Sequence, residues 1–265
     1  MNSIKKVSVK DFGNAKYKTT ANQIGNNNSI AVHEVKSVND KVEDFYSGKD
    51  PIGNWSNEEP KTMDEMKDLI KIIRYLPLGF QLAIMARIIA SPEKIIHEGS
   101  GWAAAGVRDE ESPYSIQYNI LHDIAESIRR KNGVEDYSYP YGSCAQAIAT
   151  LIITLFDPNF PVNGPEDQYD YMEKNPDKYQ EIKKVKYGED WGELQPGDIL
   201  MSEPDADNHM HVIMFVGYSE DGKPLFFEAA TMRDGFSMYP IVSERTENDD
   251  VFERTYHVYR PTVTE

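Results

Sequence analysis

Apolar positions along this chain change their period once. Between residues 62 and 155 they recur every three or four places, and from about residue 194 they come in short runs separated by turn formers. Met63, Met66, Leu69, Ile70 and Ile73 form a first helical stripe with charges between them, closed by Pro77 and Gly79. The run 80–90 is apolar except for Gln81 and Arg87, and it is far shorter than the roughly 20 residues a bilayer crossing needs. It reads as a buried helix, with a membrane-active hairpin as the rival. Ser91-Pro92 marks the start of another short helix. Ser112-Pro113 opens a longer one, striped by Ile116, Ile120, Leu121, Ile124 and Ile128, with Arg129, Arg130 and Lys131 at its negative end and Gly133 just past it. Residues 145–153 make an alanine-rich apolar helix.

From Asp157-Pro158 to about Trp191 a proline- and tyrosine-rich stretch reads as loop with one or two short helical turns. Gln195-Pro196-Gly197-Asp198 is a turn into a strand at 199–201, and 211–217 is an apolar run of the buried-strand kind. Asp221-Gly222 signals a hairpin with its return strand at 225–230, and 236–242 and 251–260 bring the total to roughly five strands. Helices followed by a meandering antiparallel sheet predict an α+β fold.

Composition adds organisation. Residues 1–60 are rich in Asn, Ser, Lys and Asp and read as a mobile polar leader, either a passive tail or a delivery signal. A flexible joint at 99–106 divides a helical region, 61–110, from a C-terminal domain, 111–265. The first residues are basic with no apolar stretch behind them, so no secretory signal peptide is expected; a protein made in the cytoplasm would act after leaderless or specialised secretion, or phage-type lysis. With 44 acids against 28 bases the net charge is −16, which repels nucleic acid and anionic lipid. Neither a nucleic-acid partner nor a membrane span is expected.

Cys144 is the only cysteine, so it forms no internal disulfide. Turn formers precede it and the apolar helix follows, which places the thiol in the first helical turn. Unpaired N–H groups and the positive end of the helix dipole favour the thiolate there. A small apolar core residue is the plainer reading of a lone cysteine. A nucleophile would need a base, and His211 stands 67 residues later (211 − 144) at the head of a buried strand.

Tyr139-Pro140-Tyr141-Gly142-Ser143-Cys144 resembles the cysteine motif of CHAP domains, the cysteine, histidine-dependent amidohydrolases/peptidases. Leu194-Gln195-Pro196-Gly197-Asp198-Ile199-Leu200, then His211-Val212 and Phe215-Val216-Gly217, is similar to the histidine segment of CHAP and the related NlpC peptidases. The resemblance covers about residues 113–261. It implies a papain-like domain, helices packed on the sheet, that hydrolyses peptidoglycan as an endopeptidase or N-acetylmuramoyl-L-alanine amidase. It also implies Glu228 as the group that orients His211. By strand geometry, a tight hairpin at Asp221-Gly222 sets Glu228 opposite Phe215, roughly 13 Å along from His211, so twist, a bulge or a wider loop must close the gap. Ser143 stands where CHAP domains often carry glutamine. Oxyanion or substrate contacts are therefore sought among the Cys144 N–H, Tyr139, Tyr141 and Ser143. Cys144 would attack a carbonyl, His211 would protonate the leaving amine, and water would release the thioester, with no cofactor and no metal.

Three rivals stand beside this. His209 and His211, two apart, share a strand face and with Asp205 and Asp207 suggest a metal-dependent hydrolase. The acidic surface suits a delivered effector that cleaves or deamidates a host protein with the same Cys–His site. A catalytically dead binding module would keep only the fold. The partner is thus a peptidoglycan stem peptide or a protein substrate, and an immunity or secretion partner is left open.

Overall fold

The computed structural model describes residues 60–74, 76–90, 95–96, 115–134, 143–186, 188–207, 209–219, 222–229, 240–244 and 254–263. The expected leader up to residue 59, the joint at 99–106, and the openings at Ser91-Pro92 and Ser112-Pro113 lie outside the described residues. The fold is α+β, with five helices and an antiparallel sheet of six strands joined by one two-residue parallel strand among the described residues.

Helix α1, Met63–Ile73, starts at a capping box: the Thr62 hydroxyl accepts from the Glu65 N–H, and the Glu65 carboxylate accepts from the Thr62 N–H. Its stripe Met66, Leu69, Ile70 and Ile73 is buried. Helix α2, Leu78–Ile89, is buried on every side from Phe80 to Ile89, as a core helix must be if it is apolar all round. Among the described residues no helix is long and apolar enough to cross a membrane. Two residues, Ile95–Ile96, form strand β1 where the sequence suggested a short helix.

Helix α3, Ile116–Lys131, is capped by the Ser115 hydroxyl. Ile116 is 59% exposed, so the buried face is made instead by Tyr118, Leu121, Ile124 and Ala125. Arg129 turns inward and donates to the Phe160 carbonyl at 3.1 Å. Helix α4, Cys144–Leu155, is almost wholly buried. The stretch read as loop holds two regular elements, helix α5 (Pro165–Lys174, with Pro at its first turn) and strand β2 (Tyr179–Val185). Strand β2 escaped notice because it is an edge strand: it carries charge and a bulge between Glu181 and Lys183 in place of apolar alternation.

The remaining strands are β3 (Ile199–Ser202), β4 (Val212–Tyr218), β5 (Pro224–Glu228), β6 (Ile241–Glu244) and β7 (Tyr256–Pro261). Their order across the sheet is β1-β6-β5-β4-β3-β7-β2, antiparallel except for β1 against β6. One buried cluster joins α1, α2, α3 and α4 to the sheet through Met214, Val216, Leu225 and Phe227. A smaller one packs Trp191 and Leu194 on Phe215, Phe226 and Val258. Helices α1 and α2 thus share one core with the sheet.

Two glycines interlock α2 with the sheet. A Cβ on Gly79 would sit 2.1 Å from the Pro196 carbonyl oxygen, and one on Gly197 would sit 2.5 Å from the Gly79 Cα. Gly197 also has φ of +86°, a conformation other residues adopt at a cost. The turn before β3 and the start of α2 thus touch backbone to backbone.

The β4–β5 pairing is irregular at one place. Tyr218 pairs with Pro224 and Gly217 with Leu225, but Phe215 pairs with Phe226 and Met214 with Phe227. Val216 is the extra residue of a bulge in β4, next to Gly217 at φ +132°. The tip of the hairpin is also wider than a two-residue turn, since five residues separate Tyr218 from Pro224.

Candidate active site

Cys144 is the first residue of α4, and a capping box sets it there. The Ser143 hydroxyl accepts from the Gln146 N–H at 3.2 Å, and the Gln146 side-chain oxygen accepts from the Ser143 N–H at 2.7 Å. Such a cap is worth about 1 kcal/mol to a helix. Gln146 is held further by donating to the Val162 carbonyl at 3.4 Å. Ser143 therefore acts as a helix cap, a structural role different from the oxyanion or substrate contact sought from the sequence. Tyr139 and Tyr141 lie outside the described residues.

His211 immediately precedes β4 and is anchored by its backbone to the end of β3. Its N–H donates to the Ser202 hydroxyl at 2.8 Å, and its carbonyl accepts from the Ser202 N–H at 2.8 Å. The imidazole is 14% exposed. Its Nε2 lies 3.0 Å from Glu228 Oε2, at the end of β5. With Nε2 engaged, Nδ1 is the ring atom left for the hydrogen bond that joins His211 to the Cys144 thiol. The other carboxylate oxygen of Glu228 accepts from the Ser243 hydroxyl at 2.5 Å. Sulfur, imidazole, carboxylate and hydroxyl thus form one continuous chain from α4 through β4 and β5 to β6.

The electrostatics follow from that chain. Burial pushes the Cys144 thiol up, but the charge and hydrogen bond of His211, with N–H donors from Val212 and Ala145, outweigh it, and the thiol ionises below its ordinary value. Burial pushes His211 down; the charge and hydrogen bond of Cys144, then those of Glu228, outweigh it and raise the imidazole to about 9. The two shifts run in opposite senses and favour one proton arrangement, thiolate beside imidazolium.

The bulge explains why Glu228 reaches His211. The wider hairpin tip and the extra residue Val216 each shift the register by one, so Glu228 falls one step beyond the Met214–Phe227 pair instead of opposite Phe215. That halves its offset from His211 along the strands. Of the devices named from the sequence, the bulge and the wider loop are both present.

His209 and His211 are not brought together. His209 is 76% exposed and sits 3.9 Å from Asp205, while His211 turns to Cys144 and Glu228. Asp205 is itself paired with Arg254 at 2.7 Å. No group of three or more potential metal ligands occurs among the described residues.

Ser243 and Ser202 were missed at the sequence level. Neither neighbours a catalytic candidate in the chain, and only strand pairing brings them to Glu228 and His211. Gln146 left a signal, because Ser143-Cys144-Ala145-Gln146 is a capping-box pattern. No protein-family model, curated protein or solved structure matches this chain.

Proposed function

We propose that the chain is a papain-like cysteine hydrolase that cleaves peptide or amide bonds, with a peptidoglycan stem peptide as the substrate its motifs favour. The observation that carries this reading is the hydrogen-bonded series Cys144, His211, Glu228, which starts at a helix N-terminus. A thiolate needs an adjacent base and the base needs an orienting group, and these residues have those relations. Restraints at three places hold them before any substrate arrives: Ser143 with Gln146 at the thiol, Ser202 at the histidine, and Ser243 at the carboxylate.

In this mechanism the Cys144 thiolate adds to the carbonyl carbon, and the Cys144 N–H faces the developing oxyanion. The His211 imidazolium gives its proton to the nitrogen of the leaving amine, the C–N bond breaks, and a thioester remains. His211, now neutral, takes a proton from water as the hydroxide adds to the thioester. The acid product leaves and the thiolate–imidazolium pair returns.

Purified peptidoglycan incubated with the protein and analysed by mass should yield fragments whose masses together exceed the parent by one water for each bond cut, and Cys144→Ala should yield none. Intact peptidoglycan with wild-type protein of proven thiol reactivity would overturn the wall substrate. One observation favours a second target: a net charge of −16 disfavours adsorption to an anionic wall polymer and suits a protein substrate. Mass analysis of candidate proteins, reading cleavage as one water gained and deamidation as amide lost to acid, separates the two.

A further inference from the structure

Arg87 is a buried cation on a helix that is otherwise apolar but for Gln81, and its Nη2 donates to the Val216 carbonyl at 2.9 Å. Val216 is the residue by which β4 exceeds β5. A bulge leaves its extra residue outside the regular ladder, so the carbonyl of that residue needs a donor from elsewhere. The guanidinium supplies one from the helix layer. Because the bulge sets the register of everything between it and the end of β5, the contact acts on where Glu228 falls against His211.

We infer that Arg87 is a positioning residue for the site: by holding the Val216 bulge it keeps Glu228 in register with His211 and so maintains the thiolate of Cys144. This rests on the Cys144–His211 reading proposed above. It gives α2 a role in the site besides packing. Gly79 fixes one end of the helix against the turn before β3, and Arg87, eight residues on, fixes the other against β4.

The test needs no substrate, so it is separable from whether the protein hydrolyses anything. Four full-length proteins are compared: wild type, Arg87→Met, Glu228→Gln and the double variant. The readouts are the pH dependence of Cys144 alkylation by iodoacetamide and the NMR titration of His211. Arg87→Met is expected to slow alkylation below pH 7 by up to about tenfold, the equivalent of one pKa unit. It should also lower the His211 titration, and add nothing in the Glu228→Gln background. Arg87→Lys, which keeps a donor, should restore part of the reactivity. Wild-type titrations in Arg87→Met, or an effect as large in the Glu228→Gln background as alone, would overturn the proposal. If Arg87→Met does not fold, the same cycle with Arg87→Gln, which also removes the cation, decides it by the same criteria. A wild-type thiol no more reactive than free cysteine would instead overturn the Cys–His reading itself.

Discussion

His211 Nε2 meets Glu228 Oε2 at 3.0 Å because β4 carries one residue more than β5 between the hairpin tip and the site. A regular ladder from the same tip would move Phe226, Phe227 and Glu228 one place along β4. Side chains in a strand alternate faces, so that single place would also turn Glu228 away from its partner. The bulge is thus as much a part of the site as the side chains it aligns.

Glu228→Gln keeps the size of the side chain and removes the charge that favours the imidazolium. Hydrolysis is expected to fall on the order of 10²-fold, less than for loss of Cys144 or His211. Alkylation of Cys144 at pH 6 should slow with it. Unchanged rates in both assays would show that Glu228 is only a buried acid.

Ser243→Ala removes the hydroxyl that holds Glu228 Oε1 at 2.5 Å. A hydrogen bond to a buried charged group contributes roughly 1.5–3 kcal/mol, so thermal unfolding should move down measurably. Activity should fall through kcat with little change in KM, since Ser243 touches the carboxylate and not the substrate. Loss of stability with full activity would leave Ser243 as packing alone.

Gly79→Ala places a methyl group 2.1 Å from the Pro196 carbonyl oxygen, a backbone atom that cannot rotate away. Overpacking of this kind costs about 1–3 kcal/mol. Unfolding by denaturant should show a lower midpoint for both Gly79→Ala and Gly197→Ala. The two together should cost less than the sum, because either alone pushes the same pair of backbones apart. Independent, additive losses would mean that the α2 contact with the turn is not shared.

What the chain disclosed before folding depended on how locally each feature is encoded. Cys144 announces itself through turn formers followed by an apolar helix, and His211 through the apolar run behind it. Both signals lie within a few residues of the site residue. Strands 199–202, 212–218 and 224–228 are buried and apolar enough to be read one by one, while the strands expected at 236–242 and 251–260 are found at 241–244 and 256–261, with 236–239 and 251–253 outside the described residues. Strand β2 is polar because it forms an edge, and its pairing with β7 is a long-range fact. Glu228 stood between these cases: its residue type was legible, but its register was not, since Val216 looks like any apolar strand residue until Arg87 and Phe226 are in place.

Cys144→Ala tests the electrostatic account most directly. Cys144 is the leading cause that raises His211, to about 9, with Glu228 behind it, and burial works in the opposite direction. Removing the thiol should therefore lower the His211 titration, read by NMR in the full-length protein, while the contact with Glu228 stays. A raised histidine contributes stability that is complete below its unfolded value of about 6.5 and is lost as pH rises through its folded value. The depressed thiol works the other way: its contribution is present above the ordinary cysteine value and is lost as pH falls through the folded one. Between those values the two slopes oppose each other, because thiolate with imidazolium binds as many protons as thiol with imidazole. In the wild type the pair should thus add little pH slope to stability between about pH 6.5 and 8.5. In Cys144→Ala the opposing half is gone, and the stability that His211 still contributes should decline as pH rises from about 6.5 and be lost by a folded value below about 9. A histidine that still titrates near 9 without the thiol would place the source of its charge elsewhere and sever Cys144 from its base.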